Sequence, residues 1–114
     1  MSNLKESYTC ALKLSVDIIG GKWKLVILWH LIEKEKRFSD LRRELPGITQ
    51  KMLTQQLREL EAADIIVRKV YPVVPPKVEY YLTDYGQSLI PVLMKLCDWS
   101  TEYAVHHNIQ MEPS

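Results

Sequence analysis

Phe38-Ser39-Asp40-Leu41-Arg42-Arg43-Glu44-Leu45-Pro46-Gly47-Ile48-Thr49-Gln50-Lys51-Met52-Leu53-Thr54-Gln55-Gln56-Leu57-Arg58-Glu59-Leu60 sets two runs of helical apolar spacing on either side of one proline-glycine break. Phe38, Leu41 and Leu45 keep helical spacing up to a break at Pro46-Gly47, which predicts a short helix started by Ser39 or Asp40. A second helix follows at once. Thr49 suits its N-cap, and Leu53, Leu57 and Leu60 recur at i, i+4 and i+7 as one inward line. Two helices joined by a tight turn containing glycine make a helix-turn-helix.

With the leucines turned inward, 100° per residue puts Lys51, Thr54, Gln55 and Arg58 on the outward face. These residue types match the edges of DNA bases. Arg and Lys pair with guanine edges or phosphates, Gln bonds both polar atoms of an adenine edge, and Thr meets a phosphate or a thymine methyl. Thr49 and Gln50, at the start of the same helix, complete the candidate reading surface. Arg42 and Arg43 on the preceding helix are cast as phosphate contacts that fix register without reading sequence. Most charged surface residues bind nothing, so the weight lies on the set and not on any one member.

Working outward, the charge is uneven. The net charge is only +1, but Lys34 to Arg58 holds seven basic residues against Glu35, Asp40 and Glu44, whereas from Asp84 onward Lys95 alone opposes Asp84, Asp98, Glu102 and Glu112. One face is therefore suited to an anion. Downstream, Ile65 to Tyr71 and Val78 to Leu82 read as a β-hairpin across Val73-Val74-Pro75-Pro76, with Lys77 near its tip as a further phosphate contact. Thr83 opens a last helix to about His107 that Pro91 should kink or restart. Upstream, Thr9 caps a helix that ends at Gly20-Gly21, and a core helix follows around Trp23, Ile27 and Leu31.

The expected fold class is thus mainly α with a small β-hairpin wing, in one domain over residues 9–107 between a flexible arm at 1–8 and a tail at 108–114. The first helix carries apolar residues on two sides, and the last carries a long apolar line after the domain is already complete. Leu12, Val16, Leu89, Leu93, Leu96 and Trp99 are accordingly expected at a homodimer interface. Residues 1–9 lack the build of a signal peptide and no apolar run approaches the ~20 residues that span a bilayer, so the expectation is a cytoplasmic protein without membrane contact.

Several runs together resemble the HxlR family of winged helix-turn-helix transcriptional regulators. They are Ile19-Gly20-Gly21-Lys22-Trp23, Arg37-Phe38, Leu45 to Thr54, Leu57-Arg58-Glu59-Leu60-Glu61 and Val74-Pro75-Pro76-Lys77-Val78-Glu79-Tyr80 before Leu82-Thr83. The resemblance covers about Cys10 to Trp99 in order. It implies sequence-specific binding of a double-stranded DNA operator by a homodimer formed through the first and last helices. Asp64 stands where such sequences usually carry Gly, and Asp tolerates the left-handed conformation that turn needs.

Two cysteines, Cys10 and Cys97, are too few for a disulfide scaffold. Cys97 falls beside the apolar line of the last helix, where a thiol is usually a small buried hydrophobe. Cys10 begins the first helix, where the helix dipole and Lys13 three residues on favour a thiolate. Some members of the resembled family carry a cysteine near that position that senses oxidants or electrophiles, which makes Cys10 with Lys13 the candidate sensor. The usual proline after it is Ala11 here, and the competing role is packing at a dimer interface. Two competing classes are an enzyme with Cys10 as nucleophile and a histidine as base, which needs a pocket and a third orienting group that the chain barely has room to build, and a winged helix used purely for protein contacts. Gly20-Gly21-Lys22 is too short for a phosphate loop, and His106-His107 diverge by about 100° on a helix, so neither a cofactor nor a metal is expected.

Overall fold

The computed structural model describes residues 4–112. Six helices and one hairpin follow in the order α1 (Ala11–Ile19), α2 (Lys24–Glu33), α3 (Phe38–Glu44), α4 (Gln50–Ala62), β1 (Ile66–Tyr71), β2 (Lys77–Leu82), α5 (Asp84–Ser88) and α6 (Ile90–His106). Leu53, Leu57 and Leu60 of α4 are fully buried with Ile27 and Leu28 of α2, Leu41 of α3 and Ile66 of β1. Each such side chain contributes about 1.5–3 kcal/mol of transfer free energy, so the leucine line of α4 fixes which face of that helix is left outside.

Local chemistry sets the joints. Thr49 Oγ1 accepts the Met52 N–H at 3.1 Å and starts α4 as expected. Gly47 takes φ +92°, which lets Leu45 and Ile48 on either side of it both point into the core. Asp64 adopts φ 63°, the left-handed turn expected of it. Thr83 Oγ1 accepts the Gly86 N–H at 3.0 Å and donates to the Asp64 carbonyl at 2.6 Å, so one hydroxyl starts α5 and pins it to the end of α4. A Cβ at Gly86 would collide with the Ile65 carbonyl, which explains the glycine there. Pro91 restarts rather than kinks the last helix: α5 ends at Ser88 and Pro91 lies in the first turn of α6, where its missing N–H costs nothing.

The strands pair antiparallel with Ile66 opposite Leu82, Arg68 opposite Tyr80 and Tyr71 opposite Lys77. Lys36 adds an isolated antiparallel bridge to Tyr80, its N–H and carbonyl bonding at 3.0 and 2.8 Å. This edge was not foreseen, because a single bridged residue has no period.

Several expectations need correction. Cys10, not Thr9, is the N-cap of α1, and its thiol makes no capping bond. Arg37 is the N-cap of α3, with Asp40 accepting its N–H at 3.0 Å from the third helical position; a carboxylate can serve from either place. Leu93, expected at a subunit interface, is 4% exposed and belongs to the protomer's own core, and Leu89 packs half-buried against the same core. Cys97, expected to be buried, is exposed. Of the arm expected at 1–8, residues 1–3 lie outside the described residues, and Tyr8 is held to α1 by a 2.6 Å bond from its hydroxyl to Asp17. Residues 113–114 of the expected tail likewise lie outside the described residues.

Candidate nucleic-acid interface

α4 presents Gln50, Lys51, Thr54, Gln55 and Arg58 along one open concavity that Glu59, Glu61 and Ala62 close at the C-terminal end. The five foremost are side chains expected from the sequence, and the structure brings them together because the opposite face of the same helix is buried. A second groove runs beside the first, lined by Thr54 and Arg58 of α4, Phe38 of α3, and Arg68 and Tyr80 of the hairpin. Arg68 was not among the expected residues. Its exposure was legible in the strand, but its place beside Arg58 depends on the pairing of Arg68 with Tyr80.

Several cations are already held within the fold. Lys24 Nζ lies 2.8 Å from Glu59 Oε1 and is buried. Lys36, 4% exposed, donates from Nζ to both carboxylate oxygens of Glu44 at 2.9 and 3.2 Å and to Glu33 at 3.4 Å. His30 Nδ1 shares Glu44 Oε1 at 3.0 Å. Arg43 reaches Asp40 at 2.9 Å, and Lys77 lies 3.7 Å from Glu79 and 4.8 Å from the Tyr71 ring centre. By contrast Arg42, Lys51, Arg58 and Arg68 are exposed and form no ion pair among the described residues. Two of the three residues cast as phosphate contacts, Arg43 and Lys77, are therefore already engaged within the fold, while Arg42 is not.

The electrostatics of the paired groups follow their partners. The Lys36 ammonium holds the Glu44 carboxyl below its ordinary value, against the opposing effect of burial, and Glu44 in turn holds Lys36 above its own. The Arg37 N–H, aided by Arg43, lowers Asp40. On the outer face of the hairpin the bond to Glu79 raises the Tyr71 hydroxyl. The α4 face itself carries cations, amides and a hydroxyl: Lys51, Arg58, Gln50, Gln55 and Thr54.

The model of the HxlR-like helix-turn-helix family matches residues 18–108. The chain belongs to the HxlR family. An HTH-type transcriptional regulator of Methanothermobacter thermautotrophicus is 50% identical over 101 residues, covering 89% of this chain and 77% of the relative. The HTH-type transcriptional regulator YtcD of Bacillus subtilis is 54% identical over 99 residues, covering 87% and 79%. The solved structure of YtcD superposes with a TM-score of 0.81 over 83% of this chain and 97% of that one. The redox regulator HypR in its reduced form, 46% identical, gives 0.81 over 87% and 99%. This HxlR-family chain is thus a helix-turn-helix transcriptional regulator of winged architecture.

Cys10 and Lys13, the candidate sensor pair, are both exposed, and both cysteines are free thiols. The Cys10 carbonyl accepts the Lys13 N–H at 3.1 Å, but the Lys13 side chain lines a shallow depression with Lys5, Tyr8, Leu12, Val16 and Asp17 that Cys10 does not join. Among the described residues no helix is long and apolar enough to cross a membrane, and no group of three or more His, Cys, Asp or Glu side chains could hold a metal ion.

Proposed function

We propose that this regulator works in the cytoplasm by binding an operator on double-stranded DNA as a homodimer, each subunit laying α4 in the major groove. One observation carries the reading: Lys51 and Arg58, without an ion pair among the described residues, stand with Thr54 and Gln55 along one open concavity on the outward face of α4. Gln55 and Arg58 read bases, and Arg42 and Arg68 hold phosphates. Gln50 lines the same concavity at the N-terminus of the helix, beside Thr49, whose Oγ1 accepts the Met52 N–H.

The homodimer is supported by apolar surface that one subunit leaves open. No residue of α1 is buried, Leu12 is 74% exposed, and α6 exposes Val92, Leu96, Trp99 and Tyr103. A second reading, control by oxidation or alkylation of Cys10, is favoured by its exposed thiol and by the likeness to HypR, solved in oxidised and reduced forms.

The test is a selection of genomic fragments on the purified protein, followed by gel-shift titration of the recovered sequences. Recovery of a shared palindromic site with half-sites about one helical turn apart is expected. Fragments with no common site, bound no better than random DNA, would overturn the reading.

A further inference from the structure

The run Gly20-Gly21-Lys22-Trp23 takes no part in the surface described above, yet it lies beside it. At 100° per residue, Thr54 and Glu61 face the hairpin flank of α4, where both line the groove shared with Arg68, and Glu59 points about 160° away from Glu61. On that second flank Glu59 holds Lys24 at the first turn of α2. The start of α2 therefore abuts the recognition helix on the side opposite the hairpin.

A helix of ~10–12 Å diameter seated in a major groove of ~12 Å has a sugar-phosphate strand along each flank. Arg68 stands on the hairpin flank. On the other, Lys24 is buried in its bridge to Glu59 and has no charge to spare. Lys22 does: it is exposed, has no carboxylate partner among the described residues, and rests its Nζ 5.0 Å from the centre of the Trp23 ring.

Trp23 supplies an independent observation. Its indole Nε1 is the one buried side-chain nitrogen or oxygen without a hydrogen-bond partner among the described residues. Leaving a donor unpaired costs stability, so its retention asks for an acceptor that the isolated chain does not provide. The ring is close to the turn that leads into α4, since a Cβ at Gly47 would lie 4.0 Å from Trp23 Cη2. Trp23 also occupies the N-cap of α2 without a side-chain bond to the first turn, so the helix end offers free backbone donors of the same sign.

We propose that Lys22 and the indole N–H of Trp23 form a phosphate clamp for the DNA strand on the α2 flank of α4. The inference rests on the DNA-binding reading above. In the free protein Lys22 lies over the ring face; on binding, its flexible side chain swings to a backbone phosphate, and Nε1, unpartnered in the free chain, donates to the same group. Neither residue reads a base, and the clamp adds affinity to every sequence alike.

The experiment is fluorescence anisotropy with a labelled mixed-sequence duplex of about two helical turns, between about 50 and 200 mM salt, on wild type, Lys22→Ala, Trp23→Phe and Arg68→Ala. Lys22→Ala is expected to weaken binding roughly 5- to 10-fold near 0.1 M salt and to lower the slope of log affinity against log salt by about 0.9, the signature of one lost phosphate contact. Trp23→Phe keeps the ring, loses the donor, and is expected to weaken binding several-fold with the slope unchanged. In ¹H–¹⁵N spectra the Trp23 indole resonance, identified by its loss in Trp23→Phe, should move on addition of duplex while that of Trp99 on α6 stays. If wild type binds and Arg68→Ala weakens it, but Lys22→Ala keeps the full slope or the Trp23 resonance does not move, the clamp is wrong and the DNA-binding reading stands. If wild type binds no duplex, both fall.

Discussion

Lys36 Nζ stands 2.9 and 3.2 Å from the two carboxylate oxygens of Glu44, and the backbone of the same lysine bridges to Tyr80, so one residue ties α3 to the base of the hairpin. Removing the carboxylate charge would strand a buried ammonium. Glu44→Gln is expected to cost about 2–3 kcal/mol, at or below the low end for a broken buried pair because Glu44 itself is a quarter exposed. Thermal or urea unfolding measures it, and a loss below about 0.5 kcal/mol, the level of a surface pair, would contradict the role given to the bridge.

The same pair sets a pH profile. Glu44 is lowered from its ordinary 4.5, so its contribution is complete above that value and is lost as pH falls through the lower folded value. Lys36 is raised from 10.5, so its contribution is complete below 10.5 and is lost as pH rises through the higher folded value. Both shifts report one interaction and are not added. The contribution of the pair should be complete between the two limits and fall outside them, and Glu44→Gln should flatten the acid limb. An acid limb unchanged by that substitution would show that other carboxylates set it.

Arg58 and Arg68 line one groove from different elements, and their substitutions should separate. Gln55→Ala and Arg58→Ala are each expected to cost about 1–3 kcal/mol on a selected operator and little on random DNA. Arg68→Ala and Arg42→Ala should weaken both alike, since a phosphate contact carries no sequence information. Gel-shift titration at fixed salt decides this: equal losses on operator and random DNA for Arg58→Ala would remove it from base reading.

How much of this was legible in the sequence depends on the range of the interaction. The leucine line of α4, the Thr49 cap, the left-handed Asp64 and the restart at Pro91 are local, and each follows from a residue's own stereochemistry. The burial of Lys24 and Lys36 was not legible, because nothing in their spacing reveals that Glu59 and Glu44 meet them across the fold. Arg68 reached the candidate surface only through strand register. Leu93 and Leu96 share one apolar line on α6, yet the first fills the protomer core and the second is 45% exposed; periodicity marks apolar residues without saying which chain covers them.

That exposed remainder makes a prediction for assembly. Leu12 and Val16 on α1 and Leu96 and Trp99 on α6 are expected to be buried between two subunits, and Trp99→Asp or Val16→Asp should shift the protein toward monomer. Light scattering at micromolar concentration reads the mass. Leu93→Ala should instead lower the stability of the protomer by about 2–5 kcal/mol, as for any buried leucine. A wild-type monomer would refute the assembly and, with it, the expectation of paired half-sites.

The last prediction concerns the two thiols, which are both exposed in the protomer and so are separated only by assembly. Cys97 lies on α6 one residue after Leu96 and two before Trp99, so a dimer that covers this helix should shield it. Cys10 precedes α1 with its thiol free of any capping bond. An electrophile such as a quinone would take the thiolate sulfur at a ring carbon, with the proton passing to the quinone, and the resulting bulk would stand where the chain enters α1. Tyr8 is two residues away and is held to Asp17, so an adduct at Cys10 strains a short, anchored segment rather than a free end. If α1 packs between the subunits, that strain alters the spacing of the two α4 helices, and DNA affinity changes to the degree that the adduct favours one arrangement. Limiting alkylation followed by mass spectrometry, with DNA binding measured on the same sample, is the check. Cys10 should label first, and operator affinity should change with its occupancy. Equal labelling of Cys97, or full labelling of Cys10 with affinity unmoved, would leave Cys10 as a packing residue of the dimer.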